Sequence, residues 1–337
     1  MTPHPRLAAL LLGMVVAVTV TACGGGANTA STGDDAASLV RDAFTNAHGV
    51  EKGKVDVALK VDATDDRLDV RFGGPFESQG EGRLPKFKLD LAVDGSGGRA
   101  VRAGATSTGD RGFVRFRGED YELSDRLFDQ FKAGFEQAQL QGKGKGSSMA
   151  ALGLDPTAWL KDPRKVGEAE VDGETTIHVT GGVDVARMLD DVDGALAAAS
   201  ALGGQGAPGL PRALSDEDKR EIVAAVKDAK ADVFTGKDDR VLRRLAVAAG
   251  LEGTRDGKPV AGNLAFSLNL SGVGEAQDIT APAGAKPLTG LGALAGLLGA
   301  DPVHGAGRER LDRFSDCIVQ AGADEAAARR CAELLAP

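Results

Sequence analysis

The stretch from Lys54 to Val61, Lys-Val-Asp-Val-Ala-Leu-Lys-Val, alternates polar and apolar side chains with a period of two residues. Because successive side chains of a strand point to opposite faces of a sheet, this pattern predicts a strand with one buried face. Four similar runs follow, separated by short segments rich in Gly, Asp and Pro. Their apolar positions are Leu68, Val70 and Phe72; Phe87, Leu89, Leu91 and Val93; Val101, Ala103 and Ala105; and Val114 and Phe116. Strands joined in series by short turns predict an antiparallel meander.

Helical spacing precedes and follows these runs. Asp34 to His48 places its apolar residues three and four positions apart, as expected of a helix with one buried face. The same spacing recurs in a helix that places Leu127, Phe128, Phe131 and Phe135 on one side, in Val183 to Ser200, and from Ser215 to about Lys230. Strand patterns occupy Val166 to Thr180, with a turn at Asp172-Gly173, and then Ala231 to Thr235, Val241 to Ala248, Gly262 to Ser271 and Gln277 to Thr280. This order predicts an α+β fold, with a strongly curved antiparallel sheet and helices covering one side.

The first residues have the organisation of a signal peptide. One positive charge, Arg6, precedes an uncharged apolar run from Leu7 to Val20. At 1.5 Å per residue this run is too short to cross about 30 Å of hydrocarbon. The next residues, Val20-Thr21-Ala22-Cys23, resemble the lipobox of bacterial lipoproteins, in which lipid is added to the cysteine and cleavage occurs just before it. The alternative is an ordinary secretory signal with a chance cysteine.

Acylation of Cys23 would divide the chain into a signal peptide over 1–22, a flexible tether over 23–33 and a lipoprotein domain over 34–283. We therefore expect a protein held by lipid on the extracytoplasmic face of the cell membrane. Residues 284–306 are rich in Gly, Ala and Leu, and they are interpreted as a linker that is either disordered or laid on apolar surface.

The remaining cysteines, Cys317 and Cys331, lie in two short amphipathic segments within 307–337. An even pair outside the membrane predicts a disulfide that staples a small helical hairpin. A metal site is the competing interpretation. The histidines give it no support, because they are scattered along the sequence at His4, His48, His178 and His304.

Charge excludes one class of partner. The formal net charge is -9, and no basic stripe interleaved with aromatic residues is present. Nucleic-acid binding needs concentrated positive charge to neutralise phosphates. No nucleic-acid partner is therefore expected.

Several stretches together resemble a known family. They are Gly167 to Thr176, Ile177 to Gly181, Phe234 to Leu245 with its Arg243-Arg244-Leu245, and Asp278 to Pro282. In their order, and with the lipobox, they look like the lipid-carrier lipoproteins of the LppX/LprG type, whose fold is shared by the LolA-like lipoprotein carriers. The chain departs from this family in the loops 139–153 and 201–213 and in the whole tail 284–337.

The resemblance implies a half-barrel whose concave apolar face, under its helices, receives the acyl chains of a lipid or glycolipid for transfer to the cell envelope. The candidate cavity wall consists of Val57, Leu59, Val70, Leu89, Phe116, Phe266 and Leu268. The alternative is that these side chains are a filled core, since alternation predicts which residues point inward and not whether the space between them is empty.

Two other functions are weighed against lipid binding. One is a non-catalytic surface lipoprotein that binds a protein partner through the Cys317/Cys331 hairpin. The other is an enzyme, but the sequence has no Gly-x-Ser-x-Gly, phosphate-loop or His-Glu-x-x-His motif. His178 lies between Ile177 and Val179, and we expect it to be solvent-exposed on the opposite face of the strand. We therefore expect a non-enzyme without a cofactor or metal.

Overall fold

A computed structural model describes residues 35–47, 49–64, 66–80, 83–96, 100–142, 156–202, 215–255 and 258–288, together with Arg313, Cys317, Arg330 and Cys331. The predicted signal peptide, the lipobox at Cys23 and the tether lie outside the described residues. So do most of the predicted linker and hairpin.

The first described element is a helix, α1 (Ala36–Ala47). Asp35 caps it, because its carboxylate accepts a hydrogen bond of 2.6 Å from the Ser38 amide. That hydrogen bond holds the pKa of Asp35 below its usual value. The helix therefore begins where the sequence predicts it.

Six strands follow α1, and they include the five predicted from alternation. They are β1 (Lys52–Ala63), β2 (Asp66–Glu77), β3 (Lys86–Gly95), β4 (Ala100–Ser107), β5 (Gly112–Phe116) and β6 (Glu119–Leu123). β6 was missed because its residues, Glu-Asp-Tyr-Glu-Leu, carry too little apolar signal. Its pairing with β5 defines it instead.

The second half of the chain mixes helices and strands. Its helices are α2 (Asp125–Gly142), α3 (Pro156–Trp159), α4 (Val185–Leu202) and α5 (Asp216–Ala225). Its strands are β7 (Leu160–Val171), β8 (Glu174–Val183), β9 (Val226–Gly236), β10 (Leu242–Arg255), β11 (Lys258–Ser271) and β12 (Lys286–Leu288). The turn predicted at Asp172-Gly173 is confirmed, since both residues have positive φ, 53° and 84°.

The strands that the structure describes all belong to one 12-stranded sheet, in the order β12-β6-β5-β4-β3-β2-β1-β11-β10-β9-β8-β7. The pairs are antiparallel except for β12 with β6. The sheet is open, because β12 and β7 stand at its two ends. The predicted curved antiparallel sheet of an α+β fold is thus confirmed, with one parallel pair added.

Several secondary-structure elements differ from the prediction. Residues Gln277 to Thr280 form no strand. The helix expected to reach Lys230 ends at Ala225, because Val226–Gly236 pairs with β10 and tertiary pairing overrides local helix propensity. The predicted linker begins with a strand, β12, whose Leu288 is 3% exposed and accepts a hydrogen bond from the Ser124 amide.

Helix α2 also departs from expectation. Leu127 and Phe128 in its first turn are buried, and the Phe128 ring packs on Gly112 where a larger residue would collide. Phe131, predicted to point inward with them, is 52% exposed. Phe131 therefore lies off the buried face that periodicity assigned to it, whereas Phe135 is half-buried.

Candidate functional site

One row of directly paired residues crosses nine strands and is apolar throughout. It is built up from the pairings of β8 with β9, β9 with β10, β10 with β11, β11 with β1, and then β1 to β5 in order. Its members are Val179, Val233, Leu245, Leu268, Val57, Phe72, Leu91, Ala103 and Phe116. We call the face that carries this row the apolar face. Directly paired residues point to the same side of a sheet, so the row marks a continuous surface.

The seven residues predicted to line a cavity all lie on this apolar face. Val57, Leu59 and Val70 are fully buried. The other four, Leu89, Phe116, Phe266 and Leu268, are half-buried. The structure therefore brings the predicted residues together on one face but gives them two different environments.

Helix α1 covers one end of the apolar face. Its Leu39, Val40, Ala43 and Phe44 pack against Val179 and Val233 and their neighbours on β8 to β10. Helix α1 contacts β7, β8, β9 and β10. We call this part of the apolar face the covered half.

The space left under α1 is small. A cavity of about 30 Å³ lies among apolar side chains that include Val40, Phe44, Met188, Leu245 and Phe266. This is about the volume that one water molecule occupies in the liquid. The covered half is therefore a packed core, and the filled-core interpretation holds for it.

The other end of the apolar face is less protected. Phe72, Leu89, Leu91, Val93 and Phe116 are half-buried, and Val101 is 43% exposed. We call these six side chains on β2 to β5 the apolar patch. Contiguous apolar side chains left accessible on a folded protein usually mark a place where something binds.

A single tryptophan stands beside the covered half. The Trp159 indole N–H donates a hydrogen bond of 2.8 Å to the Asp191 carboxylate, which is 8% exposed. Asp191 also lies 3.5 Å from the Arg187 guanidinium. These contacts fix α3 against α4 and close the rim of the small cavity.

The opposite face carries a polar row built from the same pairings. It reads His178, Phe234, Arg244, Asn269, Asp56, Gly73, Asp90, Gly104, Arg115 and Asp120. His178 is on the face predicted for it but is not freely exposed. Its ring stacks on Phe234 at 4.4 Å and its Nε2 lies 2.7 Å from the Asp232 carboxylate. The prediction of exposure was wrong because the sequence does not reveal these cross-strand neighbours.

The Arg243-Arg244-Leu245 stretch that marks the family resemblance is structural. The Arg243 side chain is 8% exposed and donates hydrogen bonds to Glu174 at 2.5 Å and to Asp239 at 2.7 Å. These bonds tie the turn after β9 to the start of β8. Leu245 lies on the apolar row next to Leu268.

Three further observations concern metal binding, the cysteines and membrane spans. Within the described ranges no group of three or more His, Cys, Asp or Glu side chains is placed to hold a metal ion. The predicted disulfide between Cys317 and Cys331 is present, and the four described tail residues are helical. Among the helices that the structure describes, none combines the length and apolarity required to cross a bilayer.

No protein-family profile matches the sequence, and no curated protein matches it. Solved structures of similar fold include LprF from Mycobacterium bovis, at 15% identity over 74% of this chain and 97% of that one, with a TM-score of 0.35. Another is the lipoprotein LppX of Mycobacterium tuberculosis, at 12% identity over 73% of this chain and 98% of its own, with a TM-score of 0.32.

A third similar structure is a putative outer membrane lipoprotein-sorting protein domain from Vibrio parahaemolyticus. It is 8% identical over 70% of this chain and 89% of its own, with a TM-score of 0.20. The likeness to LppX-type and lipoprotein-sorting proteins that the sequence predicts is thus found among solved structures, at low identity.

Proposed function

We propose that this chain is a non-catalytic, extracytoplasmic lipoprotein, anchored through lipid on Cys23, that binds the acyl chains of a lipid or glycolipid on its apolar patch and carries them within the cell envelope. The observation that carries the proposal is the burial along the apolar row. The row is fully buried at Val179 and Val233 but only half-buried at Phe72, Leu91 and Phe116.

The chemistry of the patch suits an acyl chain. Its side chains are purely aliphatic or phenyl, so they offer contact area and no hydrogen-bond partner. Each methylene group moved from water onto such a surface contributes about 0.8 kcal/mol. An acyl chain laid along β2 to β5 would be held by area alone, with little selection for its exact structure.

The cavity under α1 is not the proposed binding place. A volume near that of one water molecule cannot admit a chain of methylene groups without separating α1 from the sheet. The ligand would instead lie beside the covered half, with Phe266 and Leu268 at the border between the two parts.

The test is to identify lipid bound to the soluble Cys23→Ala protein by extraction and mass spectrometry. We expect lipid to co-purify with this protein and to be largely lost from a second variant that adds Leu89→Glu on the patch. The matched control adds Val166→Glu instead, since Val166 is an apolar residue 60% exposed on the edge strand β7. The control should retain its lipid.

Absence of lipid from the folded parent, or equal loss from both variants, would contradict the proposal. The remaining explanation would then be a surface lipoprotein that binds a protein partner. Circular dichroism of each variant separates loss of lipid from loss of fold.

The anchor is tested separately. Labelled fatty acid fed to cells should be incorporated into the wild-type chain and not into the Cys23→Ala variant, which should leave the membrane fraction. Full membrane association of the variant would place the anchor elsewhere.

A further inference from the structure

A polar groove crosses β1 to β5 on the face opposite the apolar patch. It encloses about 600 Å³, within the usual range of small-ligand sites. Its polar side chains are Asp56, Arg71, Asp90, Arg102, Arg115 and Asn269. Phe72 and Leu91 of the apolar patch also border the groove, but they alternate with its polar residues and point to the opposite face of the sheet. The acyl-binding proposal concerns that opposite face.

The polar row that crosses the groove places glycines between charged residues. Along the polar row Gly73 lies between Asp56 and Asp90, and Gly104 lies between Asp90 and Arg115. A Cβ added at Gly104 would come within 2.9 Å of the Asp90 carboxylate and 3.2 Å of the Arg115 Cβ. A Cβ added at Gly73 would collide with the Val55 carbonyl oxygen on the neighbouring strand. Neither position therefore admits a larger residue without displacing its neighbours.

Three guanidinium groups and five carboxylates lie in the groove or pair with its side chains. Arg71 pairs with Asp69 at 3.2 Å, Arg102 with Asp94 at 2.8 Å, and Arg115 with Asp120 at 2.8 Å. Arg115 also lies 3.8 Å from Asp90, whose side chain is 62% exposed. Asp56 is exposed on the other side of Gly73. Carboxylate acceptors and guanidinium donors thus lie close together along the groove, within reach of solvent.

This arrangement disfavours charged ligands. A phosphate or carboxylate would meet Asp56 and Asp90, and it would compete with the carboxylate that each guanidinium group already pairs with. A cation at Asp90 would lie beside the Arg115 guanidinium group, which is 3.8 Å from that carboxylate. An extended peptide would find no free backbone partners here, because the floor strands already pair with each other on both sides.

We propose that the groove binds a neutral, hydroxyl-rich ligand, that is, the rings of a carbohydrate. Each hydroxyl group both donates and accepts, so neighbouring hydroxyls can bond to a carboxylate and a guanidinium at once. The small floor residues Gly73, Ala58 and Ala92 leave room for a ring to lie flat over the sheet.

The experiment uses the soluble Cys23→Ala chain and saturation-transfer NMR with two probes at millimolar concentration, maltotetraose and chito-tetraose. Saturable binding of at least one probe is expected. Asp56→Ala and Asp90→Ala should each weaken it about tenfold, since each removes a charged hydrogen-bond acceptor. The matched control is Asp62→Ala, an exposed carboxylate on the same strand and the same face as Asp56, at its far end. It should leave affinity unchanged.

Three results would overturn the inference. They are no saturable binding of either neutral probe, equal weakening by Asp62→Ala, and preferential binding of inositol hexakisphosphate, which would make the groove an anion site. The lipid content of the Asp56 and Asp90 variants should match the parent, so this test is independent of the acyl-binding proposal.

Discussion

The covered half and the apolar patch share the same sequence pattern and differ in what lies on top of them. Val233 in the covered half is 1% exposed, whereas Val101 in the patch is 43% exposed, although each has one charged and one apolar neighbour on its strand. Helix α1 packs on β8 to β10 and makes the difference. Alternation therefore decides which way a side chain points, and the helices decide whether it becomes core.

The largest expected contrast comes from removing a large side chain in each part. Leu39→Ala deletes a side chain that is 1% exposed on the face of α1 that packs on the sheet, and it should lower the free energy of unfolding by about 2 to 5 kcal/mol. Leu91→Ala acts on the half-buried patch and should cost less than about 1.5 kcal/mol. Urea unfolding of the two variants measures both values, and equal losses would mean that the patch is core.

The outer edge of the patch side is held by β12. A chain that ends at Ala285 loses the ladder to β6 and the buried Leu288, so we expect the free energy of unfolding to fall by about 1.5 to 3 kcal/mol without loss of the sheet. Hydrogen exchange should quicken in β5 and β6 and stay unchanged in β8 and β9. Unchanged exchange at β6 would show that β12 contributes nothing.

Substitution by tryptophan also distinguishes the covered half from the apolar patch. Val233→Trp forces an indole into a packed core and should cost about 1 to 3 kcal/mol. Leu89→Trp adds the same kind of group to the patch, so it should cost less than about 0.5 kcal/mol while reducing bound lipid. Thermal unfolding and lipid extraction on the same samples test this, and a large cost at Leu89 would argue against a vacant surface.

The smallest expected effect is the pH dependence of the contact between Glu119 and Lys286, which holds β12 to the sheet. Glu119 accepts hydrogen bonds from Lys286 at 2.6 Å and from Tyr121 at 2.8 Å. Both bonds lower the pKa of Glu119, and the bond from Lys286 has the larger effect. Because the folded pKa lies below the unfolded value, this stabilisation is present above the unfolded pKa and is lost as pH falls through the folded pKa. Exchange of the Ser124 amide, which bonds to Leu288, should therefore quicken in acid. In Glu119→Gln this pH dependence should disappear.

Much of this architecture could be predicted from the sequence. The period of two residues gave the apolar face and all seven wall residues on it, and Asp172-Gly173 gave a hairpin turn. β12 could not be predicted, because three residues that include Pro287 carry no period and only the free edge of β6 makes them a strand. The sequence also could not predict that Val57 is buried and Leu89 only half-buried, because the burial of each depends on packing from distant elements.

The polar groove could not be predicted from the sequence, for a related reason. Gly73, Gly104, Asp56 and Arg115 come from four separate strands, and nothing in any one strand marks them. Only the register of the sheet brings them into one row. The Arg243 contacts were similarly invisible, although the resemblance singled out the stretch that contains it.

The order of strands also determines which strands can pair first as the chain is synthesised. β1 lies between β2 and β11, and Asn46 at the end of α1 bonds to the Asp239 carbonyl, 193 residues away. A chain that emerges from its N-terminus thus completes the β1 to β6 meander long before β11 and β12 exist to pair with its two edges. Unpaired edges invite aggregation. Until the last strands arrive, this meander is the part of the chain most in need of a chaperone.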